Sequence, residues 1–443
     1  MRRTRTTMAA ALAAVAALAA TVAAFELEQV GCFPPGTLRG DVRLSGDGRT
    51  LVFSAAAELV PGANPLGIPQ LFALDLETRA VRQLTPARPD DGGDVDTCRA
   101  VDASVSHDAR RVVALGVCGL GPERMRWRLL DHRDGTTAAL GRWTRCAPVL
   151  LPQALSGDGR RLAVGAACDP ARSRARRRPA RQRLWLQGRP GGRLRAAGPH
   201  GRCESLAPAL DHDGGRLAFL SDCDPVGENP TRAMNLFTRE RPSGRLRQRT
   251  RAVHVDAGGR CGTIQYVGPF RSGLFEAPAL APGGPALLAA SCVDERDPGE
   301  VLLHRLWAFP AAGGEPGELP LPACSAEPSL RTVTSPVAAS RGAERIALVR
   351  ACAPVGDVRR GEQALIVLRH DGPPVTLLEN AGVRVLVDRE IRRPALDAAG
   401  SVVATITAEP PPGCAGAGDP QLVLARDLGD PVLRRVTCGC GAG

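Results

Sequence analysis

The chain has 443 residues, of which 44% are hydrophobic and only 3% are aromatic. A core with so few aromatic rings must be filled by Ala, Val and Leu, which suits many small, regular layers. The formal net charge is +11 at pH 7. Because the sequence contains no lysine, arginine carries this charge in a chain rich in Ala, Gly and Pro, which indicates biased composition. We therefore predict no nucleic-acid partner.

The first 24 residues have the organisation of a secretory signal peptide. An arginine-rich start precedes an apolar stretch of about fifteen residues and the small residues Val22, Ala23 and Ala24. We expect cleavage after Ala24; a retained N-terminal anchor is the alternative. No later segment approaches the roughly twenty apolar residues that a membrane span needs. The sequence thus predicts a secreted or periplasmic protein that is not an integral membrane protein after cleavage.

The segment from Leu44 to Thr85 is the unit from which the rest of the chain is built. Asp47 and Gly48 predict a tight turn between two short strands. Gln70 to Leu76 reads as a third strand with apolar alternation, and Ala80 to Thr85 as a fourth. The unit therefore predicts a four-stranded antiparallel sheet.

Six further copies of this unit follow, with starts about 50 to 70 residues apart, a period typical of propellers and solenoids. No segment has a sustained helical period, so we predict an all-β chain. The position of the turn in successive copies is taken by Asp47, Asp108, Asp158, Asp213, Gly283, Gly342 and Ala399. Residues 25–443 are interpreted as a single domain whose sheets start near residues 41, 100, 149, 205, 275, 332 and 391.

A proline recurs in the strand that precedes the turn. It lies within one residue of the same repeat position at Pro152, Pro208, Pro278, Pro336 and Pro394. Proline cannot donate to a strand ladder and belongs on an edge strand. The first strand of each propeller blade lines the central channel and is such an edge. The sequence therefore predicts a seven-bladed β-propeller.

The motif LSGDGRTLVF at Leu44, with QLFALDL and AVRQLT downstream, resembles the TolB-type, WD-repeat-like propeller repeat of exported bacterial proteins. The copies at Leu155 and Leu210 carry the resemblance well, whereas those at Leu280, Ala339 and Leu396 are weak. The resemblance implies a β-propeller with binding functions outside the cytoplasm.

Fourteen cysteines in an exported chain indicate disulfides. Many of them lie at similar distances on either side of a turn, where antiparallel strands place residues opposite one another. Zinc binding is the alternative, but zinc ligands lie two to four residues apart, and only Cys438 and Cys440 come close. The predicted local pairs are Cys98 with Cys118, Cys146 with Cys168, Cys203 with Cys223, Cys261 with Cys292, and Cys324 with Cys352.

Four cysteines remain, and they allow three connectivities. A bridge between Cys438 and Cys440 would be strained, so we favour Cys32 with one of these and Cys414 with the other. The bridge from Cys32 would tie the two ends of the chain together, which suits a closed ring.

The sequence offers no catalytic motif, and we predict no catalytic, metal or cofactor residues. The turn aspartates could be read as calcium ligands, but Asp-Gly is a preferred turn, and turns on separate blades are too dispersed for one site. His107 and His212 occupy equivalent turn positions and are expected to face solvent. The inner strands offer almost no titratable groups, which argues against an active site in the channel.

The most distinctive surface segment is an arginine-rich loop after Cys168, expected on the face that holds the disulfides. It could bind an anionic polymer or an acidic protein, and the alternative is a solvated loop. Its residues are Arg172, Arg174, Arg176, Arg177, Arg178, Arg181 and Arg183. We predict a monomeric binding or scaffold protein with a protein or envelope-polymer partner. The alternative is a carbohydrate-active propeller enzyme, a lyase or hydrolase, with its site at the channel mouth.

Overall fold

The structure is a computed structural model of the whole chain. It describes residues 24–30, 33, 37–85, 98–119, 126–144, 147–168, 181–199, 203–230, 232, 234–250, 277–294, 297–322, 330–334, 337–354, 361–370, 372–383, 391–408, 421–426, 428 and 430–437. Strands dominate these residues, and they form seven separate sheets. The predicted all-β, seven-bladed propeller with four-stranded antiparallel blades is confirmed.

Each blade starts at the channel with a short inner strand and ends at the rim. Blade 1 contains Leu38–Leu44, Thr50–Ala55, Gln70–Asp75 and Val81–Gln83. Blade 2 contains Arg99–Val105, Arg111–Cys118, Arg126–Arg133 and Thr136–Thr144. Blade 3 contains Pro148–Val149, Leu162–Ala166, Arg183–Gln187 and Arg195–Ala196. Blade 4 contains Ser205–Leu210, Arg216–Ser221, Asn235–Glu240 and Leu246–Gln248.

The last three blades keep this order with local additions. Blade 5 contains Ala279–Leu280, Ala286–Asp294, Asp297–Phe309 and Gly317–Leu319. Blade 6 has an interrupted inner strand, Leu330–Thr334 and Ala338–Ala339, a 3-10 turn at Arg341–Ala343, and the strands Arg345–Pro354, Gly361–Arg369 and Gly372–Val383. Blade 7 contains Ala395–Leu396, Val402–Thr407, Gln421–Arg426 and Asp430–Thr437, together with an N-terminal strand, Ala24–Gln29.

The ring is closed by the N-terminal strand. Ala24–Gln29 lies between the last two strands of blade 7, antiparallel to Gln421–Arg426 and parallel to Asp430–Thr437. Its Leu27 is fully buried against blades 6 and 7. The disulfide of Cys32 that was predicted to close the ring lies outside the described residues, together with Cys414, Cys438 and Cys440. The closure that the structure shows is non-covalent, through main-chain pairing on both edges of one strand.

The hydrophobic core is divided among the interfaces between blades. Seven clusters of buried side chains occupy the seven interfaces, including the one between blades 7 and 1. Leu, Val and Ala fill most of them, and a stacked pair such as Phe219 and Phe237, with ring centroids 5.7 Å apart, is an exception. Each blade is therefore stabilised mainly by its two neighbours.

Two of the predicted disulfides are present. Cys98 pairs with Cys118 and Cys203 pairs with Cys223, each across the first two strands of a blade. The register explains both pairs. Arg99, one residue after Cys98, faces Val117, one residue before Cys118. Ser205, two residues after Cys203, faces Ser221, two residues before Cys223. Cys168 and Cys352 are also disulfide-bonded. Their predicted partners Cys146 and Cys324 lie outside the described residues, as do Cys261 and the side chain of Cys292.

Candidate functional site: the channel and the two faces

The turns between the first and second strands form a ring around the channel axis. At six of the seven junctions between blades, a backbone N–H of one turn donates to a carbonyl oxygen of the adjacent turn, and at five of these six the acceptor belongs to the following blade. These bonds are Asp47 N to His107 O at 3.0 Å, His107 N to Gly157 O at 2.7 Å, Asp158 N to His212 O at 2.6 Å, Gly342 N to Pro282 O at 2.9 Å, Arg341 N to Ala398 O at 2.8 Å, and Ala398 N to Gly46 O at 2.8 Å. We call this end of the propeller the turn face. Neighbouring turns on this face are therefore in direct contact through their backbones.

The turn aspartates act within their own turns. In blade 1 the Ser45 hydroxyl donates to Asp47 Oδ1 at 2.5 Å, and the Arg49 N–H donates to the same oxygen at 3.1 Å. Blades 2 and 3 repeat both contacts around Asp108 and Asp158. Such side-chain contacts to the local backbone are those of an Asx turn.

An arginine that begins the second strand links each of four blades to the next. Its guanidinium donates to a turn carbonyl of the following blade, at 2.5 to 2.7 Å: Arg111 to Gly159, Arg161 to Gly214, Arg216 to Gly284, and Arg345 to Gly400. Pro282 of blade 5 has no N–H to donate to blade 6, so its carbonyl accepts from Gly342 there instead. Between blades 4 and 5 the Arg216 guanidinium supplies the contact. This arginine recurs five residues after the first residue of each of these turns. The spacing is a sequence signal for contacts between blades, and it was not used in the prediction.

The central channel is narrow and lined by the inner strands of all seven blades. The cavity on its axis has a volume of about 150 Å³, and its wall is mainly Val, Leu, Ala and Pro. Gln153 of blade 3 crosses to blade 5, where its Oε1 accepts the Leu280 N–H at 2.7 Å and its Nε2 donates to the Leu280 carbonyl at 3.0 Å. Ligand pockets usually hold about 300 to 1,000 Å³, so this channel is small for one.

Charged groups nevertheless line the channel, contrary to the expectation from the inner strands: Arg43 and Arg393 lie on the side of blades 7 and 1, and Asp211 belongs to blade 4. We call Asp41, Arg43, Asp102 and Arg393 the channel-wall cluster; blades 7, 1 and 2 contribute to it. Arg43 is 5% exposed and donates to Asp102 Oδ1 at 2.5 Å and to the Ala103 carbonyl at 2.9 Å. Asp41 lies 3.6 Å from Arg393 and 4.0 Å from Arg43. The bulge that places these side chains lies between Arg39 and Arg43 and contains Gly40, whose φ is +64°; an isolated glycine in a strand is a sequence signal for such a bulge.

Enclosure by the channel wall raises the pKa of Asp102 above its usual range. The guanidinium of Arg43 opposes this effect, and the carboxylate of Asp41 adds to it. A carboxyl group with a raised pKa beside a second carboxyl is a feature shared by structural ion-pair networks and by acid–base sites. Asp102 pairs with Arg43, and Asp41 with Arg43 and Arg393, so the cluster also links the inner strands around the channel.

His107 and His212 were expected to face solvent but are half-buried where the turns surround the channel. Their rings meet edge to face with centroids 5.1 Å apart, and they lie over Gly46 and Gly157. A Cβ atom on either glycine would collide with an imidazole, which explains why these two turns carry glycine. The two rings narrow the channel at the turn face.

The opposite end, which we call the loop face, carries the connections between second and third strands and both described disulfides. In blade 1 the buried Asn64 orders this connection, because its Nδ2 donates to the carbonyls of Ala57 at 3.0 Å and Ile68 at 2.9 Å. Asn229 does the same in blade 4 by donating to the Cys223 carbonyl at 3.0 Å. Both asparagines precede a proline, a repeated Asn-Pro signal that the sequence analysis did not use.

The predicted arginine-rich loop is described only at its end. Arg181 and Arg183 are exposed, with Arg183 at the start of the third strand of blade 3. Arg172, Arg174, Arg176, Arg177 and Arg178 lie outside the described residues. Its role as an anionic-ligand loop stays a prediction.

One group of potential metal-ligating side chains occurs in the part of the chain that the structure describes. Cys203, Asp222 and Cys223 bring their ligand atoms within 4.8 Å of one another. The two sulfurs are joined in the disulfide, so they are not available as thiolate ligands. Among the same described residues, no helix combines the length and the apolar character needed to cross a membrane.

The fold is similar to solved propeller structures. An oligogalacturonate lyase in complex with manganese aligns with a TM-score of 0.50 and 12% identity, over 92% of this chain and 97% of that one. A puromycin-hydrolysing peptidase of Mycobacterium tuberculosis aligns with a TM-score of 0.48 and 15% identity, over 87% of this chain and 54% of that one. A post-proline cleaving enzyme from Rickettsia typhi aligns with a TM-score of 0.46 and 8% identity, over 84% and 49%. Identities this low show the fold alone.

No protein-family model matches this sequence, and no curated protein is similar to it.

Proposed function

We propose that this chain is an exported β-propeller that binds a partner through its loop face and acts as a binding or scaffold protein. The observation that carries the proposal is the state of the channel. A cavity of about 150 Å³, crossed by Gln153 and narrowed by two histidine rings, leaves little room for a substrate. A partner would then bind at one of the two faces of the ring.

The loop face is suited to this role because its described connections are ordered before any partner arrives. Asn64 and Asn229 hold their loops by buried hydrogen bonds, and the disulfides Cys98–Cys118 and Cys203–Cys223 pin the strands beneath. Ordered loops lose less conformational entropy on binding. The exposed Leu66, with 53% of its surface accessible, lies on the same face.

Export is supported by the signal-like N-terminus and by the disulfides, which persist in oxidising compartments. The resemblance of the repeat to TolB-type repeats of exported bacterial proteins agrees with it. We place the protein in the periplasm or outside the cell, as a monomer whose partner is a protein or an anionic envelope polymer.

Site-specific photo-crosslinking tests the binding role. A crosslinking residue replaces Leu66 on the loop face or, as the matched control, Val81 on the rim of blade 1, which is 36% exposed. Each variant is expressed with its leader in an exporting host and irradiated in intact cells. We expect a discrete adduct from position 66 and none from position 81. Adducts from position 81 alone, or from neither position, would contradict the proposal.

A carbohydrate-active enzyme is the second candidate, favoured by the raised pKa of Asp102 beside Asp41 in the channel-wall cluster. An acid with a raised pKa and a second carboxylate form the usual pair of glycoside hydrolases. The test is the appearance of new reducing ends in polygalacturonate or another uronic acid polymer. Cleavage that disappears in the Asp102→Asn variant would replace the binding role with this one.

A further inference from the structure

The groove between blades 3 and 4, where it opens on the turn face, is lined by guanidinium groups. We define the blade 3–4 groove by Arg161, Arg195, Arg239 and Arg241. Arg195 pairs with Leu186, whose side chain packs against blade 4, so Arg195 lies on that side of blade 3. Arg239 pairs with Leu217 on the facing side of blade 4, and its Nη1 donates across the groove to the Ala197 carbonyl at 2.9 Å.

The other two arginines lie at the turn end of the same groove. Arg161 reaches the turn of blade 4 and donates to the carbonyls of Gly214 at 2.5 Å and Asp213 at 3.3 Å. Gly214 has a φ of +64°, and a Cβ there would come within 2.7 Å of Arg161 Cδ, so the turn admits the arginine only with glycine. Arg241 follows Arg239 by two residues, and its backbone N–H donates to the Gly215 carbonyl at 2.7 Å.

Blade 2 has a buried counter-ion that the blade 3–4 groove lacks. Arg111, at the same repeat position as Arg161, has its charge balanced by Asp131, which accepts from Nε at 2.8 Å and from Nη2 at 3.0 Å. The register places Asp131 opposite Val113, and the equivalent position opposite Ala163 is Leu186. Arg161 therefore donates to neutral carbonyls over an apolar floor, and the carboxylate that acts on its charge is the exposed Asp213 of the neighbouring turn rather than a buried counter-ion.

The surrounding surface adds positive charge. Residues 184–199 of blade 3 contain three arginines and no acidic residue, and these arginines, Arg189, Arg193 and Arg195, are exposed beside the groove. Within the described residues the Arg241 side chain makes no hydrogen bond or ion pair. Burial and the charges of Arg161 and Arg239 lower the pKa of Arg241, which reflects the mutual repulsion. One carboxylate lies nearby: Asp213, whose Oδ1 accepts the Gly215 N–H at 2.8 Å.

We propose that the blade 3–4 groove binds an anionic polysaccharide that carries carboxylate or sulfate groups on successive sugars. Arginine forks bind such oxyanions in bidentate geometry. The guanidinium groups come from two strands, a tight turn and a hairpin and follow the groove outwards, with Arg193 and Arg195 spaced about 7 Å apart along the chain. Such a row matches repeated charges better than a single ion, while Leu186 offers an apolar contact for a sugar ring.

An anionic bilayer is the competing partner, and the surface argues against it. Interfacial binding needs apolar side chains that enter the lipid beside the basic groups. The exposed large hydrophobic residues of the described chain, Leu66, Val81 and Val101, all lie on blades 1 and 2.

Binding of defined polymers to the full exported chain tests the proposal. The probes are dextran sulfate, polygalacturonate, uncharged dextran and vesicles containing phosphatidylglycerol. The groove variant is Arg195→Gln with Arg241→Gln, and the charge-matched control is Arg49→Gln with Arg341→Gln, two exposed arginines on the turns of blades 1 and 6. Thermal unfolding midpoints confirm that both variants fold.

We expect wild-type protein to bind at least one charged polymer, with affinity falling as salt rises, and not to bind uncharged dextran. The two polymers distinguish sulfate from carboxylate ligands. Losing two charged hydrogen-bond donors should weaken binding about ten-fold or more in the groove variant and much less in the control. Equal losses in both variants, no binding to either charged polymer, or groove-dependent binding to vesicles alone would overturn the proposal. The crosslinking experiment tests binding at the loop face, and its outcome does not depend on whether the groove binds a polymer.

Discussion

Replacing Arg111 with methionine should strongly destabilise the propeller. Arg111 is 3% exposed and Asp131 is 5% exposed, and their two direct contacts are 2.8 and 3.0 Å long. The same guanidinium donates to Gln187 Oε1 at 2.6 Å and to the Gly159 carbonyl at 2.6 Å. Arg111→Met leaves Asp131 as a buried carboxylate without its counter-ion, for which the cost in unfolding free energy is about 3 to 5 kcal/mol.

Urea denaturation of the oxidised protein at pH 7 measures this cost, and two further variants make it interpretable. Arg161→Met removes the equivalent arginine, which has only carbonyl partners, so we expect a loss of about 1 to 2 kcal/mol. The double variant Arg111→Met with Asp131→Leu removes both charges and should recover most of the stability, because uncompensated charge is the main cost.

A loss of unfolding free energy in Arg111→Met no larger than that in Arg161→Met would refute the role of the buried ion pair. That role is also refuted if the double variant is as unstable as the single one, since packing around the methylene chain would then outweigh charge. Either result would make the recurring arginine a packing residue.

Three other perturbations address the disulfides, the ring closure and the channel wall. Replacing Cys98 and Cys118 together with alanine should lower the free energy of unfolding by about 3 kcal/mol, and a thermal melt compared with that of reduced wild-type protein checks this. Leu27→Ala should cost about 2 to 4 kcal/mol in urea denaturation, because Leu27 is fully buried in the closing strand, whereas the exposed Val81→Ala should cost little. The raised pKa of Asp102 means that this carboxyl binds a proton more tightly in the folded protein than in the unfolded chain. Its contribution to the free energy of unfolding therefore falls as pH rises above about 4. Asp102→Asn should therefore flatten the fall in stability between pH 4 and 7, and an unchanged slope would contradict this assignment.

A folded ring with two surfaces would serve as a scaffold. The loop face is the proposed site for a partner, and the blade 3–4 groove opens on the opposite, turn face. Binding at one face leaves the other accessible. The two proposals can therefore be tested together by asking whether saturating polymer changes crosslinking from position 66.

Much of the fold could be predicted because the repeat is local. Asn235–Glu240 was anticipated with both ends, and all seven turns join an inner strand to a second strand at the predicted positions. Antiparallel pairing across a tight turn also predicts which cysteines face each other, as Cys98 and Cys118 show. These features depend on residues within one blade, where turn chemistry and alternation determine the register.

The sequence alone therefore determined the number of blades, their strand order and the disulfides Cys98–Cys118 and Cys203–Cys223, because each is specified by short-range pairing. The tertiary structure decided how the ring closes, since the strand Ala24–Gln29 pairs with residues some four hundred positions away. It also decided the charge of the grooves. Whether an arginine at one repeat position is neutralised depends on the residue that the adjacent strand places beside it, Asp131 for Arg111 and Leu186 for Arg161. Such contacts between strands and blades form only when the chain is folded, and no local pattern records them.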